Sequence, residues 1–402
     1  MNRPCILAML MLTASLAISS CNYYHTEYPE PGKEETEELS LRNVARILSE
    51  LPLGSEQLRE VADAVSSSSV NGYDEEYMMS DLFAEPGRGV GDSLRIAAGK
   101  SRRTARRYDR PLRELFSEYF NDRYVKGKSG LTAQQFSEAL SRSDMQIYWP
   151  YSESWDGETM PLITFDPGYG AESNYAYRIS TDDSGNRVID SVLVDESVAL
   201  SCPVWVINRN DDSEFTPLDL IRREQDSSCS AVSLSAGELP SARSTSNKQL
   251  MIKSFEMLRH YDSWFGGASE FMIKCGGADG FYATCEEEVN LYRPSITDFM
   301  VVVKRSQLKV PVPFEALILT DFTDQIDRLV FMITEDDGGT VTSWKCAATV
   351  KYNSKSFGFD VEIPYRDKDD IVWRGQLSTN FFKGNNVVTG RFGDVRITFE
   401  TL

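Results

Sequence analysis

From residue 248 to the end, the chain alternates apolar and polar side chains with a period of two. Phe359, Val361 and Ile363 are separated by Asp360 and Glu362, and Val395, Ile397 and Phe399 by Arg396 and Thr398. Phe271, Ile273 and Cys275 share a face in the same way, as do Leu329, Phe331 and Ile333. Successive side chains on a strand point to opposite faces, so this pattern means strands with one wet face. One-sided strands are the mark of antiparallel sheets, and so many of them must pack two sheets face to face. The spacing predicts a β-sandwich over 248–402.

The upstream half reads differently. Residues 40–144 are predicted to be helical. Ser40 can cap a helix whose apolar positions Leu41, Val44, Ile47 and Leu48 recur at helical spacing. A second helix opens at Ser55, carries Leu58, Val61, Ala62 and Val65 on one face, and is expected to end at the serine run Ser66 to Ser69. Two further helical patterns cover Tyr108 to Tyr124 and Thr132 to Leu140, the latter capped by Thr132. Short β-like runs begin at Met145 and continue to Val204–Ile207, with turn signals such as Asp182-Asp183-Ser184-Gly185 between them. They make 145–210 a small β module, and the polar, serine-rich stretch 211–247 a linker. The expected class is α+β, a helical N-terminal region followed by antiparallel β modules, with no internal repeat.

Charge and histidine content exclude several functions. Lys plus Arg number 42 against 61 Asp plus Glu, a net charge of −19, so the chain lacks the basic footprint of a nucleic-acid binder. The 2 histidines, His25 and His260, cannot build a multi-histidine metal site, and no HExxH is present. Lys100, Arg102, Arg103, Arg106, Arg107 and Arg110 form one basic cluster, read as a solvated or internally paired loop, with a patch for lipid headgroups, acidic polysaccharide or an acidic partner as the alternative. Ala98-Gly99-Lys100-Ser101 is not a phosphate loop, because Leu94 stands where that loop needs glycine.

The N-terminus carries an address. Arg3 precedes an apolar run from Ile6 to Ile18, too short for a spanning helix. Ile18-Ser19-Ser20 then leads directly into Cys21, which resembles the lipobox of bacterial lipoproteins. The resemblance implies cleavage of residues 1–20 as a signal peptide, lipidation of Cys21, and anchoring at the outer membrane or cell surface. Residues 21–39, with Pro29, Pro31, Gly32 and the acidic Glu34, Glu35, Glu37 and Glu38, read as a tether. As a whole the chain resembles the uncharacterised lipoproteins of Bacteroidota, which implies an envelope location and no activity. Setting Cys5 and Cys21 aside leaves Cys202, Cys229, Cys275, Cys285 and Cys346, an odd number, so at least one thiol stays unpaired or bonds elsewhere. Cys275 and Cys285 either close a hairpin or remain free thiols.

Two stretches point to ligands. Tyr261-Asp262-Ser263-Trp264-Phe265-Gly266-Gly267-Ala268-Ser269-Glu270-Phe271-Met272-Ile273-Lys274 resembles the first calcium loop of C2 domains. Asp262 stands at the position of that loop's first Asp, and Ser269-Glu270 where the family has Ser-Asp. Glu335 and Asp337 fall at the spacing of the family's later Asp-x-Asp, and Gly393 to Phe399 resembles its closing strand. The resemblance implies a C2-like sandwich holding calcium through Asp262, Glu270, Glu335 and Asp337. Carboxylates converging from two loops suit a cation that takes 6–8 oxygens. The second stretch, Tyr148 to Asp156, is an aromatic cluster with two acids. Trp149 and Trp155 are its candidate ligand contacts, as stacking faces for a sugar, with core packing as the alternative. No residues qualify as catalytic. The expected function is a lipid-anchored envelope binding or adhesion protein whose ligand is a glycan or surface protein. A secreted polysaccharide or peptide hydrolase, or a structural subunit of a surface assembly, are the alternatives.

Overall fold

A computed structural model describes residues 39–84, 108–125, 132–168, 170–210, 216–222, 248–382 and 384–402. The signal segment, Cys21, nearly all of the tether, basic residues 100–107, Cys229 and most of the linker lie outside the described residues. No helix among those described is long and apolar enough to cross a membrane.

The first helix, α1 (Leu41–Glu50), starts as its sequence predicts. Ser40 Oγ accepts the Asn43 N–H at 3.3 Å, and Val44, Ala45, Ile47 and Leu48 are buried. Helix α2 (Ser55–Val70) departs from expectation, because the serine run lies inside the helix instead of ending it. Serine is a weak helix former, but packing overrides propensity here. Ser68 continues the buried stripe of Leu58, Val61 and Val65, and its hydroxyl reaches Glu76 Oε1 at 3.4 Å. The chain leaves the helix at Asn71 and Gly72, where a φ of +87° suits glycine. After the short α3 (Met79–Leu82) come α4 (Leu112–Val125) and α5 (Ala133–Ser141). Thr132 Oγ1 accepts the Gln135 N–H at 3.2 Å, and the Gln135 side chain accepts the Thr132 N–H at 3.0 Å, a reciprocal cap.

These helices share one core with a six-stranded sheet: β1 (Glu76–Met78), β2 (Met145–Tyr148), β3 (Leu162–Phe165), β4 (Ser173–Thr181), β5 (Arg187–Asp195) and β6 (Val204–Arg209). The order is β1-β2-β6-β3-β4-β5. Pairing is antiparallel throughout except at β3–β6, where Leu162 to Phe165 run parallel to Val204 to Ile207. The β4–β5 hairpin and α6 (Glu196–Ala199) supply the long crossover a parallel pair requires. Val44, Ile47, Leu58, Phe116 and Phe136 from helices meet Ile147, Trp149, Ile163, Trp205 and Ile207 from the sheet. The helical stretch and the small β module therefore fold as one body.

The C-terminal part is the expected antiparallel sandwich. Its strands are β7 (Lys248–Met257), β8 (Ser269–Gly277), β9 (Ser295–Val303), β10 (Val312–Phe322), β11 (Ile326–Glu335), β12 (Val341–Tyr352), β13 (Lys355–Arg366), β14 (Asp370–Ser378), β15 (Val387–Phe392) and β16 (Val395–Thr401). A short helix, α7 (Glu286–Leu291), precedes β9. One sheet runs β10-β7-β16-β15, the other β13-β12-β11-β8-β9 with β14 also on β11. The faces read from alternation form its interior: Phe271, Ile273 and Cys275, Leu329, Phe331 and Ile333, and Val395, Ile397 and Phe399.

The β12–β13 hairpin does something alternation does not reveal. Its inner face near the turn, with Val350 and Phe359, joins the main core, while Ala348, Val361 and Ile363 cover Val330 and Met332 on the outer face of β11. The hairpin comes so close that a Cβ on Gly276 would lie 2.6 Å from Val361 Cγ1. Replacing Gly276 with Ala is expected to cost about 1–3 kcal/mol in urea denaturation, the usual penalty for overpacking. Adding Val361→Ala should recover part of that loss, since the two changes share one contact.

Residues 37–402 form one compact unit. The loop between β7 and β8 plugs into the N-terminal sheet: Trp264 and Phe265 pack with Tyr148, Val194, Val204 and Val206. Polar contacts close the same seam. Trp264 Nε1–H donates to the Glu172 carbonyl at 2.9 Å, the Ala268 N–H donates to Asp74 at 2.9 Å, and Arg305 pairs with Glu196 at 2.6 Å.

Candidate metal centre

One end of the sandwich concentrates acid. Antiparallel pairing of β8 with β11 brings the start of one beside the end of the other, so Phe271 faces Glu335 and the Asp336 N–H donates to the Glu270 carbonyl at 2.9 Å. Asp262 arrives from the β7–β8 loop, whose path is fixed by the Trp264–Phe265 plug. Arg305 Nη1 donates to the Asp262 carbonyl at 3.2 Å, and Ser269 Oγ lies 3.5 Å from its carboxylate. In consequence Asp262, Glu270 and Glu335 each present a carboxylate oxygen, all within 4.8 Å of one another. Asp262 is half-buried, while Glu270 and Glu335 are buried.

The energetics of this arrangement are demanding. Two unit charges about 4 Å apart repel by about 4 kcal/mol at an effective dielectric of ~20. That approaches the whole stability of a typical domain, so three ionised carboxylates need a proton or a cation between them. Burial accordingly pushes the Asp262 carboxyl up, with the Asp370 charge adding to it, while hydrogen bonding to Glu335 and the Arg305 charge act the other way. Asp337 is more exposed and outside the triad. Desolvation, then the charges of Asp262, Asp370 and Asp369, push its carboxyl up to about 7.

A third acidic loop, Asp367-Lys368-Asp369-Asp370, completes this end and escaped the sequence reading. Pairing of β11 with β14 sets Asp370 opposite Glu335. Asp369 is buried, and desolvation pushes its carboxyl up to about 6 against a hydrogen bond from the Arg366 N–H. Asp336 Oδ2 and Asp369 Oδ1 are buried oxygens with no hydrogen-bond donor. The signal for this loop was an acid-rich break between two strands. What joins it to Asp262 is a strand register that local spacing does not carry.

The geometry suits a hard divalent cation. Oxygens bound to one calcium at ~2.4 Å lie at most about 4.8 Å apart, so the three carboxylates can contact a single ion with little rearrangement. Carboxylates alone, without thiol or imidazole, favour calcium or magnesium over zinc.

The two tryptophans part company. Trp149 is 1 % exposed, with its ring edge-to-face against Trp155 at 5.2 Å and Trp205 at 5.6 Å, so it belongs to the core and cannot offer a stacking face. Trp155 is half-buried and donates its Nε1–H to the Thr159 carbonyl at 2.9 Å. With Tyr151, Ser154, Asp156, Ser201 and Cys202 it lines a pocket of about 130 Å³. That is smaller than the ~300–1,000 Å³ of enclosed ligand sites, and suits surface contact with one ring. Asp156 on its rim is held down to about 2 by the Thr159 hydroxyl, with the Thr159 and Glu158 N–H groups adding to it.

A different acid pair mimics a catalytic dyad. Burial, then a hydrogen bond with Glu153, pushes Glu75 up to about 8, while Ser152 Oγ donates to it at 2.6 Å. Glycosidases place their carboxyls ~5–9.5 Å apart astride an open cleft. Glu75 is 1 % exposed and accepts from the Ser152 N–H and hydroxyl, so it is a structural carboxyl in the seam. The four described cysteines Cys202, Cys275, Cys285 and Cys346 are free thiols, which settles the alternative left open for Cys275 and Cys285. No family model, no curated protein and no solved structure matches this chain.

Proposed function

We propose that the protein is a lipid-anchored cell-envelope binding or adhesion protein, held at the outer membrane or cell surface through Cys21, whose sandwich end takes calcium. The observation that carries the calcium part is the convergence of Asp262 and Glu270, from the β7–β8 loop and the start of β8, with Glu335 from the end of β11. The resemblance of residues 261–274 to a C2 calcium loop supports the same assignment, and the lipobox-like run before Cys21 supports the location. An ion there would tie the β7–β8 loop to β8 and β11. Because that loop also plugs the N-terminal sheet through Trp264 and Phe265, its order sets the geometry of the seam. The ligand is a glycan or a surface protein, with the half-buried Trp155 as the aromatic contact.

The test is retention of residues 37–402 on intact cells and on immobilised envelope polysaccharides, in calcium and in chelator. Retention should require calcium, fall at least tenfold with Asp262→Asn, and fall separately with Trp155→Ala. Retention that is equal in chelator and in calcium would remove the cation from the mechanism of binding.

A further inference from the structure

The N-terminal sheet ends in an open strand. β5 is the outermost of the six, paired only with β4, through the register Ser173↔Asp195 to Thr181↔Arg187. The hairpin turn fixes which of its groups are free. The Asp182 N–H donates to the Asn186 carbonyl at 2.8 Å, the Gly185 N–H to the Asp182 carbonyl at 2.9 Å, and Gly185 has φ +80°. The Asp182–Asn186 pair is thus hydrogen-bonded, and antiparallel alternation makes Val188, Asp190, Val192 and Val194 bond to β4. Ile189, Ser191 and Leu193 direct their N–H and C=O groups outward, where no described residue meets them.

Edges of this kind are normally blunted by proline, lysine, bulges or shortness. Most of the other edges follow that rule, and β9, which is also unbroken over 9 residues, instead has Met300, Val301 and Val303 buried and meets β10 through Thr297 Oγ1, which donates to the Ile318 carbonyl at 2.9 Å. β1 has 3 residues, β13 carries Asp360, Glu362 and Pro364, and β10 is bulged and contains Pro313. β5 has 9 residues, with no proline, glycine or lysine and an unbroken register, and its one mid-strand charge, Asp190, is paired within the hairpin to Arg178 of β4 at 3.3 Å. It also flanks exposed apolar surface: Tyr175 is 65 % exposed, Leu193 opposite it 59 %, and Ile189 38 %.

We infer that β5 pairs antiparallel with β5 of a second copy of this chain about a two-fold axis at Ser191, joining two six-stranded sheets into one. The sequence of the strand selects this occupant. Centring on Ser191 sets Arg187 opposite Asp195 at both ends and Ile189 opposite Leu193 on both sides, and Asp190 faces Val192. No like charges oppose one another, as an isologous contact requires. Centring on Asp190 would oppose two carboxylates across the axis. Centring on Ile189 or Leu193 would pair only part of the strand. Arg187 already donates to the Ser49 and Glu50 carbonyls, and Asp195 caps α6, so these ends supply charge complementarity rather than new ion pairs.

Sedimentation velocity on residues 37–402 tests this directly. A dimer mass at micromolar concentration is expected. Ser191→Pro removes an outward N–H that β4 does not use, a place where an edge tolerates proline. Leu193→Lys adds charge to the apolar pair. Both should weaken dimerisation at least tenfold while circular dichroism stays unchanged. In a Cys202→Ser background, Ser191→Cys should oxidise to a dimer linked through residue 191, since Cα atoms at a bonded pair lie ~5.5 Å apart. A monomer across the concentration range, or a dimer that survives both β5 substitutions and does not cross-link at 191, would overturn the inference.

Discussion

Millimolar calcium added to residues 37–402 at pH 8 should raise the melting temperature by roughly 3–6 °C, the effect of a ligand near 100 times its Kd on a chain of this size. Magnesium should do less, because its smaller octahedral shell demands closer ligands than three protein carboxylates and a loop provide. Asp262→Asn should reduce the calcium shift to below about 1 °C. The same substitution should raise the melting temperature in chelator, since it removes one of three mutually repelling charges. This reversal of sign separates a binding site from a structural role. pH works in the same direction. Asp337, Asp369 and Asp262 all have their carboxyls raised in the folded protein. A raised carboxyl binds its proton more tightly folded than unfolded, so stability without metal falls as pH rises from about 4. The fall ends once pH passes the folded values, near 6 for Asp369 and 7 for Asp337. Calcium competes with the proton on Asp262, and its charge opposes those on Asp337 and Asp369, so its stabilising effect should be small at pH 5 and reach its full size at pH 8. Equal shifts at both values would contradict the assignment.

Trp149→Ala should destabilise the protein by about 3–5 kcal/mol in urea denaturation, the range for emptying a fully buried large aromatic. The ring fills space that Trp205, Ile147 and Ile163 cannot close, and it sits where the helices meet the sheet. Trp155→Ala, at a half-buried position on the edge of the same cluster, should cost about 1 kcal/mol. If Trp155 is the ligand contact, that variant keeps its fold and loses retention on the ligand surface. A fold loss as large as that of Trp149→Ala would instead make Trp155 a core residue.

The contrast between these tryptophans shows where sequence legibility ends. Alternation identified the sandwich faces because each strand has one wet side, and Phe271, Ile273, Leu329 and Ile397 entered the core as their spacing requires. The same alternation marked Val361 and Ile363 as inward. It could not say that they cover the outside of β11, because that depends on how far the β12–β13 hairpin curls. Periodicity found α1 but cut α2 short, since the serines weigh against a helix that tertiary packing sustains. Trp149 and Trp155 look alike in a run of aromatics, and only the neighbouring Trp205, some 50 residues away, decides which is enclosed. At the acidic cluster, Asp262, Glu270 and Glu335 stand at a family-like spacing in the sequence. Asp369 and Asp370 carry no such mark, because they reach the site through the pairing of β14 with β11.

Binding of a divalent cation by the three converging carboxylates is proposed from their geometry. Its most direct measurement is a calorimetric titration of calcium into residues 37–402 at pH 8, alongside Glu335→Gln. A saturable isotherm is expected, with protons released on binding and the isotherm lost in Glu335→Gln while its far-ultraviolet circular dichroism remains that of the wild type. No heat of binding in the wild type, or an isotherm that Glu335→Gln leaves intact, would contradict it.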